Sequence, residues 1–181
     1  MAIRKASSYS HFKARPYTRK SAKKSKSYIK SVPPQKIVKL NMGNIPDYEK
    51  GKFQFILRMI AKEDVQMRDN ALEASRQFIH KELETDLLGQ YYFGVRVFPH
   101  HILRENKMLT GAGADRMQTG MALSFGATVG RAALIKKGGE IFVIAVNSDK
   151  GVKIARTAME KIKAKLPCTT RILTEKKVVA I

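Results

Sequence analysis

Apolar and polar positions change rhythm several times along the chain, and each change marks an element. Ile37-Val38-Lys39-Leu40 reads as a short strand. Phe53, Phe55, Leu57 and Met59 alternate with Gln54, Ile56, Arg58 and Ile60, a period-2 strand with at least one buried face. The rhythm then lengthens. From about Asp69 to Leu87, Leu72, Ser75, Ile79, Leu83 and Leu87 recur at helical spacing, with Ala71, Ala74 and Phe78 widening the stripe. Asp69 is the expected N-cap, and Gly89 ends the run.

Alternation returns at Phe93, Val95 and Val97, until Pro99 stops regular pairing or marks an edge. His100 to Leu103 forms a further short strand. Val129–Ile135 and Ile141–Val146 are apolar runs joined by Lys136-Lys137-Gly138-Gly139-Glu140, which predicts a hairpin. A second helix spans about Asp149 to Leu166, with Val152, Ala155, Met159, Ile162 and Leu166 on one face. A final strand runs from Thr169 to Leu173. Hairpin-joined strands with two amphipathic helices predict an α+β fold with a mainly antiparallel sheet.

Before residue 36 no rhythm exists, and here charge changes the picture. The chain carries 35 Lys+Arg against 15 Asp+Glu, a formal +20. Residues 1–46 hold no carboxylate but twelve cations. Such a segment cannot bury enough apolar surface to fold alone. The expected organisation is a basic, extended N-terminal arm at 1–35, then a single α+β domain at 36–181 with a long internal loop at 104–121. A positive excess of this size calls for a polyanionic partner, RNA above all. The arm cations expected on phosphates are Arg4, Lys5, Lys13, Arg15, Arg19, Lys20, Lys23, Lys24, Lys26 and Lys30. Tyr9, Phe12, Tyr17 and Tyr28 interleave with them, as rings that could stack on bases or riboses.

Other chemistries find little support. The single cysteine, Cys168, cannot form an internal disulfide or a cysteine-based zinc site, and is expected to be buried and inert. No run of about 18 apolar residues is present, and the N-terminus lacks a secretory core, so no membrane partner is expected. Gly111-Ala112-Gly113 begins a dinucleotide fingerprint, but Arg116 stands where its third glycine belongs. A P-loop would need Gly-Lys-Ser/Thr, which does not occur. Adjacent His100 and His101 point to opposite sides of a strand and cannot share a metal, so solvent or RNA is their expected environment. No catalytic constellation and no cofactor site emerges.

The stretch between the predicted strands suits RNA instead. Gly111 and Gly113 let backbone approach a phosphate or ribose, Lys107 and Arg116 bracket the turn, and Gln118 can bond base edges or 2′-hydroxyls. Met108 can lie against an irregular surface.

The run FPHHILRENKMLTGAGADRMQTGM, from Phe98 to Met121, closely resembles the universal large-subunit ribosomal protein sixteen family in its archaeal and eukaryotic ten-e form. Further matches follow in order: RPYTRKS from Arg15, SVPPQKI from Ser31, MGN from Met42, NALEASR from Asn70 and LPCTTRI from Leu166. The wording looks archaeal.

The resemblance implies an α/β-hammerhead-like fold and a non-enzymatic, cytoplasmic constituent of the large ribosomal subunit. Its implied partners are large-subunit rRNA, the small ribosomal RNA, neighbouring ribosomal proteins and A-site tRNA. The family's internal loop, reaching toward tRNA and the peptidyl-transferase centre, corresponds here to Arg104, Lys107, Met108, Gly111, Gly113, Arg116 and Gln118. This chain departs from the family at Ala122-Leu123 and Ala127-Thr128, where basic residues are expected. The alternative is an RNA-binding protein of the same fold that works outside the ribosome.

Overall fold

The computed structural model describes residues 5, 9, 15–18, 23, 29, 31–106 and 126–176. Eight strands and three helices are ordered β1 (Asn41–Gly43), α1 (Ile45–Glu49), β2 (Phe55–Ala61), β3 (Val65–Arg68), α2 (Asp69–Leu87), β4 (Tyr91–Val95), β5 (His101–Glu105), β6 (Ala127–Ile135), β7 (Glu140–Val146), α3 (Asp149–Ile162) and β8 (Thr170–Lys176). Two sheets form: a five-stranded one in the order β1-β4-β7-β2-β8 and a three-stranded one in the order β3-β6-β5. All pairings are antiparallel. The α+β expectation holds.

Central strands β4 and β7 are buried almost throughout, so their apolar runs serve two faces. One face of the five-stranded sheet presents Leu57, Met59, Phe93, Phe142 and Ile144 to Leu72, Ile79 and Leu83 of α2 and to Ala155, Met159 and Ile162 of α3. Phe53, Ile56, Tyr92, Val143 and Ala145 form a smaller cluster, with Ile45 and Tyr48 packed on it. Tyr48 stacks on Tyr92 at 3.7 Å.

The Lys136–Gly139 turn corrects the expected hairpin. β6 and β7 do not pair; they belong to different sheets. The preceding crossing, from β2 to β3, runs beside it. Gly138 N–H donates to the Ala61 carbonyl at 2.9 Å, and Ala61 N–H donates to the Gly139 carbonyl at 3.0 Å. The two glycines therefore let paired strands bend together from one sheet into the other.

Other boundaries shift for local reasons. Ile37–Leu40 is not a strand; Ile37 is buried, Val38 is exposed, and pairing with β4 begins at Asn41. Asp69 is the first helical residue of α2, not its cap. Arg68 occupies the cap position without a side-chain bond. Leu88, left-handed at φ 42°, ends α2 one residue before Gly89. The Ser148 side chain caps α3 by accepting from Gly151 N–H, and a 3-10 turn, Lys163–Lys165, completes the predicted helix. The short α1 and β3 had not been expected. Gly43 leads into α1 at φ +79°, where a Cβ would collide with the Tyr91 carbonyl oxygen. No helix among the described residues is long and apolar enough to cross a membrane.

Candidate nucleic-acid interface

The register of the three-stranded sheet sorts its side chains. Val65, Met67, Ala133 and Ile135 share one face and lie in the core. Gln66, Arg68, Ala132, Leu134, His101 and Leu103 share the other. Between Leu103 and Arg104 the β5–β6 register shifts, so that Leu103 opposes Gly130 and Arg104 opposes Thr128.

The leading segment is docked on this outer face. Tyr17 N–H donates to His101 Nδ1 at 2.7 Å, and Ile102 N–H donates to the Tyr17 carbonyl at 3.1 Å. The Arg104 guanidinium lies 3.5 Å from the centre of the Tyr17 ring. Further along, Gln66 Nε2 donates to the Tyr9 carbonyl at 2.6 Å, and the Tyr9 hydroxyl donates to Glu105 Oε2 at 2.9 Å. Arg68 sits over the Tyr9 ring at 4.5 Å. Arg131 Nε donates to the Pro33 carbonyl at 2.7 Å. Every strand of the sheet thus holds part of the segment. Each neutral hydrogen bond contributes about 0.5–1.5 kcal/mol and each cation–π contact about 0.5–2 kcal/mol, so the docking is a sum of modest terms.

Two carboxylates of α2, Asp69 and Glu73, are buried. Glu73 takes Arg76 Nε at 2.7 Å and Nη2 at 2.6 Å, while Arg76 Nη1 reaches Met42 Sδ at 3.0 Å. Arg76, followed by Gln77 and the Val38 amide, holds the Glu73 carboxyl below its ordinary value. One carboxylate thereby anchors segment 38–42 to α2. Asp69, at the start of α2, accepts from Asn70 N–H at 2.9 Å. Burial pushes its carboxyl upward, and Lys36, Arg68 and Arg131 oppose that rise.

Of the expected phosphate contacts, Lys5, Arg15 and Lys23 are described, and all three are exposed. Arg4, Lys13, Arg19, Lys20, Lys24, Lys26 and Lys30 lie outside the described residues. So do Lys107, Met108, Gly111, Gly113, Arg116 and Gln118 of the internal loop, whereas Arg104 and Glu105 belong to paired strand β5. Two expectations change. His101 is not exposed but buried, with Nδ1 as an acceptor for the arm. The rings of Tyr9 and Tyr17 meet arginines of their own chain.

Gln66, Arg68, His101, Glu105 and Arg131 are the residues that sequence reasoning missed. The alternation Val65-Gln66-Met67-Arg68 was the one local signal available, a strand with a polar face. Cys168 is half-buried beside the core, and burial pushes its thiol up to about 11, as an inert thiol requires. Among the described residues, no group of three or more His, Cys, Asp or Glu could hold a metal ion.

Comparison with known proteins finds relatives over nearly the whole chain. Residues 13–173 match the family profile described as ribosomal protein L16p/L10e. The large ribosomal subunit protein uL16 of Thermofilum pendens is 43% identical over 177 residues, covering 97% of this chain and 98% of its own. The protein of the same name from Methanococcus maripaludis is 44% identical over 178 residues, covering 97% and 96%. That from Staphylothermus marinus is 40% identical over 174 residues, covering 96% and 94%.

Proposed function

The chain belongs to the ribosomal protein L16p/L10e family, and from that premise we propose that it is a structural component of the large ribosomal subunit, held on rRNA by its leading basic segment. The observation that carries this reading is the carboxylate-free stretch 1–46, whose Tyr9 and Tyr17 dock where the internal loop leaves the sheet. A polyanion offsets the self-repulsion of twelve cations, and counterion release makes the binding strongly salt-dependent.

Strands β5 and β6 form the stem of segment 107–125. Arg104 and Glu105 at that stem carry Tyr17 and Tyr9 of the arm. In the proposed setting, the arm grips rRNA near the A-site side of the peptidyl-transferase region. Lys107, Arg116 and Gln118 then reach toward A-site tRNA, with the small ribosomal RNA and neighbouring ribosomal proteins alongside. The chemistry of peptide transfer stays with RNA, and the protein positions it.

Chemical footprinting of large subunits assembled with and without this protein tests the placement. Protection should concentrate on the A-site side and fade in molar salt; protection confined elsewhere overturns the placement. Arg116→Ala should preserve thermal stability while slowing tRNA accommodation, and unchanged accommodation would remove the loop from that role.

A further inference from the structure

We propose that a pocket between β3, the first turn of α2 and the 3-10 turn receives one unpaired pyrimidine base of RNA. The assignment deepens the RNA-binding reading above and rests on it. The pocket, of about 150 Å³, is lined by Gln66, Arg68, Ala71, Ala164, Lys165, Leu166 and Pro167. A cavity of about that volume holds a benzene-sized ring. It therefore suits a single six-membered base and is cramped for a purine.

The walls favour a nucleotide over an apolar side chain of a protein. Ala71, Leu166 and Pro167 supply apolar surface for a flat ring. Two lining residues, Arg68 and Lys165, are cations and none is a carboxylate, which suits a phosphate attached to the ring. Gln66 is buried, and its amide is held at one end because Nε2 donates to the Tyr9 carbonyl. That bond fixes Oε1 as the remaining acceptor, and it has no hydrogen-bond partner. A buried acceptor left unpaired is costly, and a base N–H can relieve it. The pocket also adjoins the docked arm, since Gln66 and Arg68 are the two β3 residues that carry Tyr9.

The test uses the full chain and three RNA hairpins that differ at one position: a bulged uridine, a bulged adenosine, and a fully paired twin. Affinities are read by fluorescence anisotropy at fixed salt. The uridine-bulged hairpin should bind at least about fivefold more tightly than the paired twin, the gain expected of one added hydrogen bond and a buried ring. The adenosine bulge should give no such gain. Ala164→Phe, which fills the pocket, should erase the preference without changing affinity for the paired hairpin. Ala164→Leu, a smaller intrusion from the same wall, should do the same if Ala164→Phe fails to fold. Equal binding of all three hairpins, or a preference that survives in the folded variants, overturns the pocket assignment and leaves the arm's role standing. Failure to bind any hairpin overturns the RNA-binding reading and the pocket with it. In assembled subunits, a photo-reactive side chain at position 164 should capture RNA; capture of protein alone overturns the assignment.

Discussion

On the outer face of the five-stranded sheet, Arg58 lies between two carboxylates, Glu140 at 2.6 Å and Glu175 at 3.2 Å, and Arg96 leans on the same Glu140 at 3.7 Å. On the three-stranded sheet, Arg68 and Arg104 lie on the rings of Tyr9 and Tyr17, and Arg131 bonds a carbonyl. A carboxylate contact orients a guanidinium and cancels its charge. A contact with a ring or a carbonyl orients it and leaves the charge in place. The same residue type is therefore tied to carboxylates in one region and to rings and a carbonyl in the other.

The largest expected effect tests the core that both regions share. Leu83→Ala removes a fully buried side chain between α2 and the sheet and should cost roughly 2–5 kcal/mol in chemical denaturation. Both outer faces should lose stability together; a loss confined to one would mean that the sheets unfold separately.

Glu73→Gln comes next, because it strands Arg76. The cost should be about 3 kcal/mol, the low end for a buried pair, since the two side chains keep 12% and 9% of their exposure. The pH dependence has a definite sign. The native carboxyl is depressed below its ordinary value of 4.5. Its stabilisation is therefore complete above that value and is lost as pH falls through the depressed one. The stability gap between wild type and variant should narrow on acidification, as urea titrations across the acid range would show.

Tyr17→Ala separates the two faces directly. Losing the contact with Arg104 should cost about 1 kcal/mol. The Ile102 amide, bonded to the Tyr17 carbonyl, should exchange hydrogen faster, while amides of the β2–β7 ladder keep their protection. Equal acceleration in both places would show that the arm is not docked locally.

The smallest stability effects give the sharpest contrast. Arg58→Met should stay within about 1 kcal/mol, because the pair is partly exposed to solvent, and should leave RNA affinity unchanged. Arg15→Ala should hardly alter stability yet lower the salt slope of RNA binding by about 0.7–0.9. If the Arg58 variant lowered that slope as much, Arg58 would also face the polyanion, and the contrast between the two regions would fail.

The periods of the apolar positions determined α2, α3, the buried strands and the α+β class, because burial of one face imposes a repeat that is local in sequence. Charge alone set residues 1–46 apart, with twelve cations and no carboxylate, since a surplus of like charge is a property of composition. Tertiary structure decided the rest. That β6 and β7 enter different sheets depends on Ala61, nearly eighty residues earlier, bonding Gly138 and Gly139. That Tyr17 serves the fold depends on His101 and Arg104, and that Tyr9 docks depends on Gln66, Arg68 and Glu105. Pairings over such separations leave no period in the chain, because the partner of each polar group is chosen by where the packed sheets bring it.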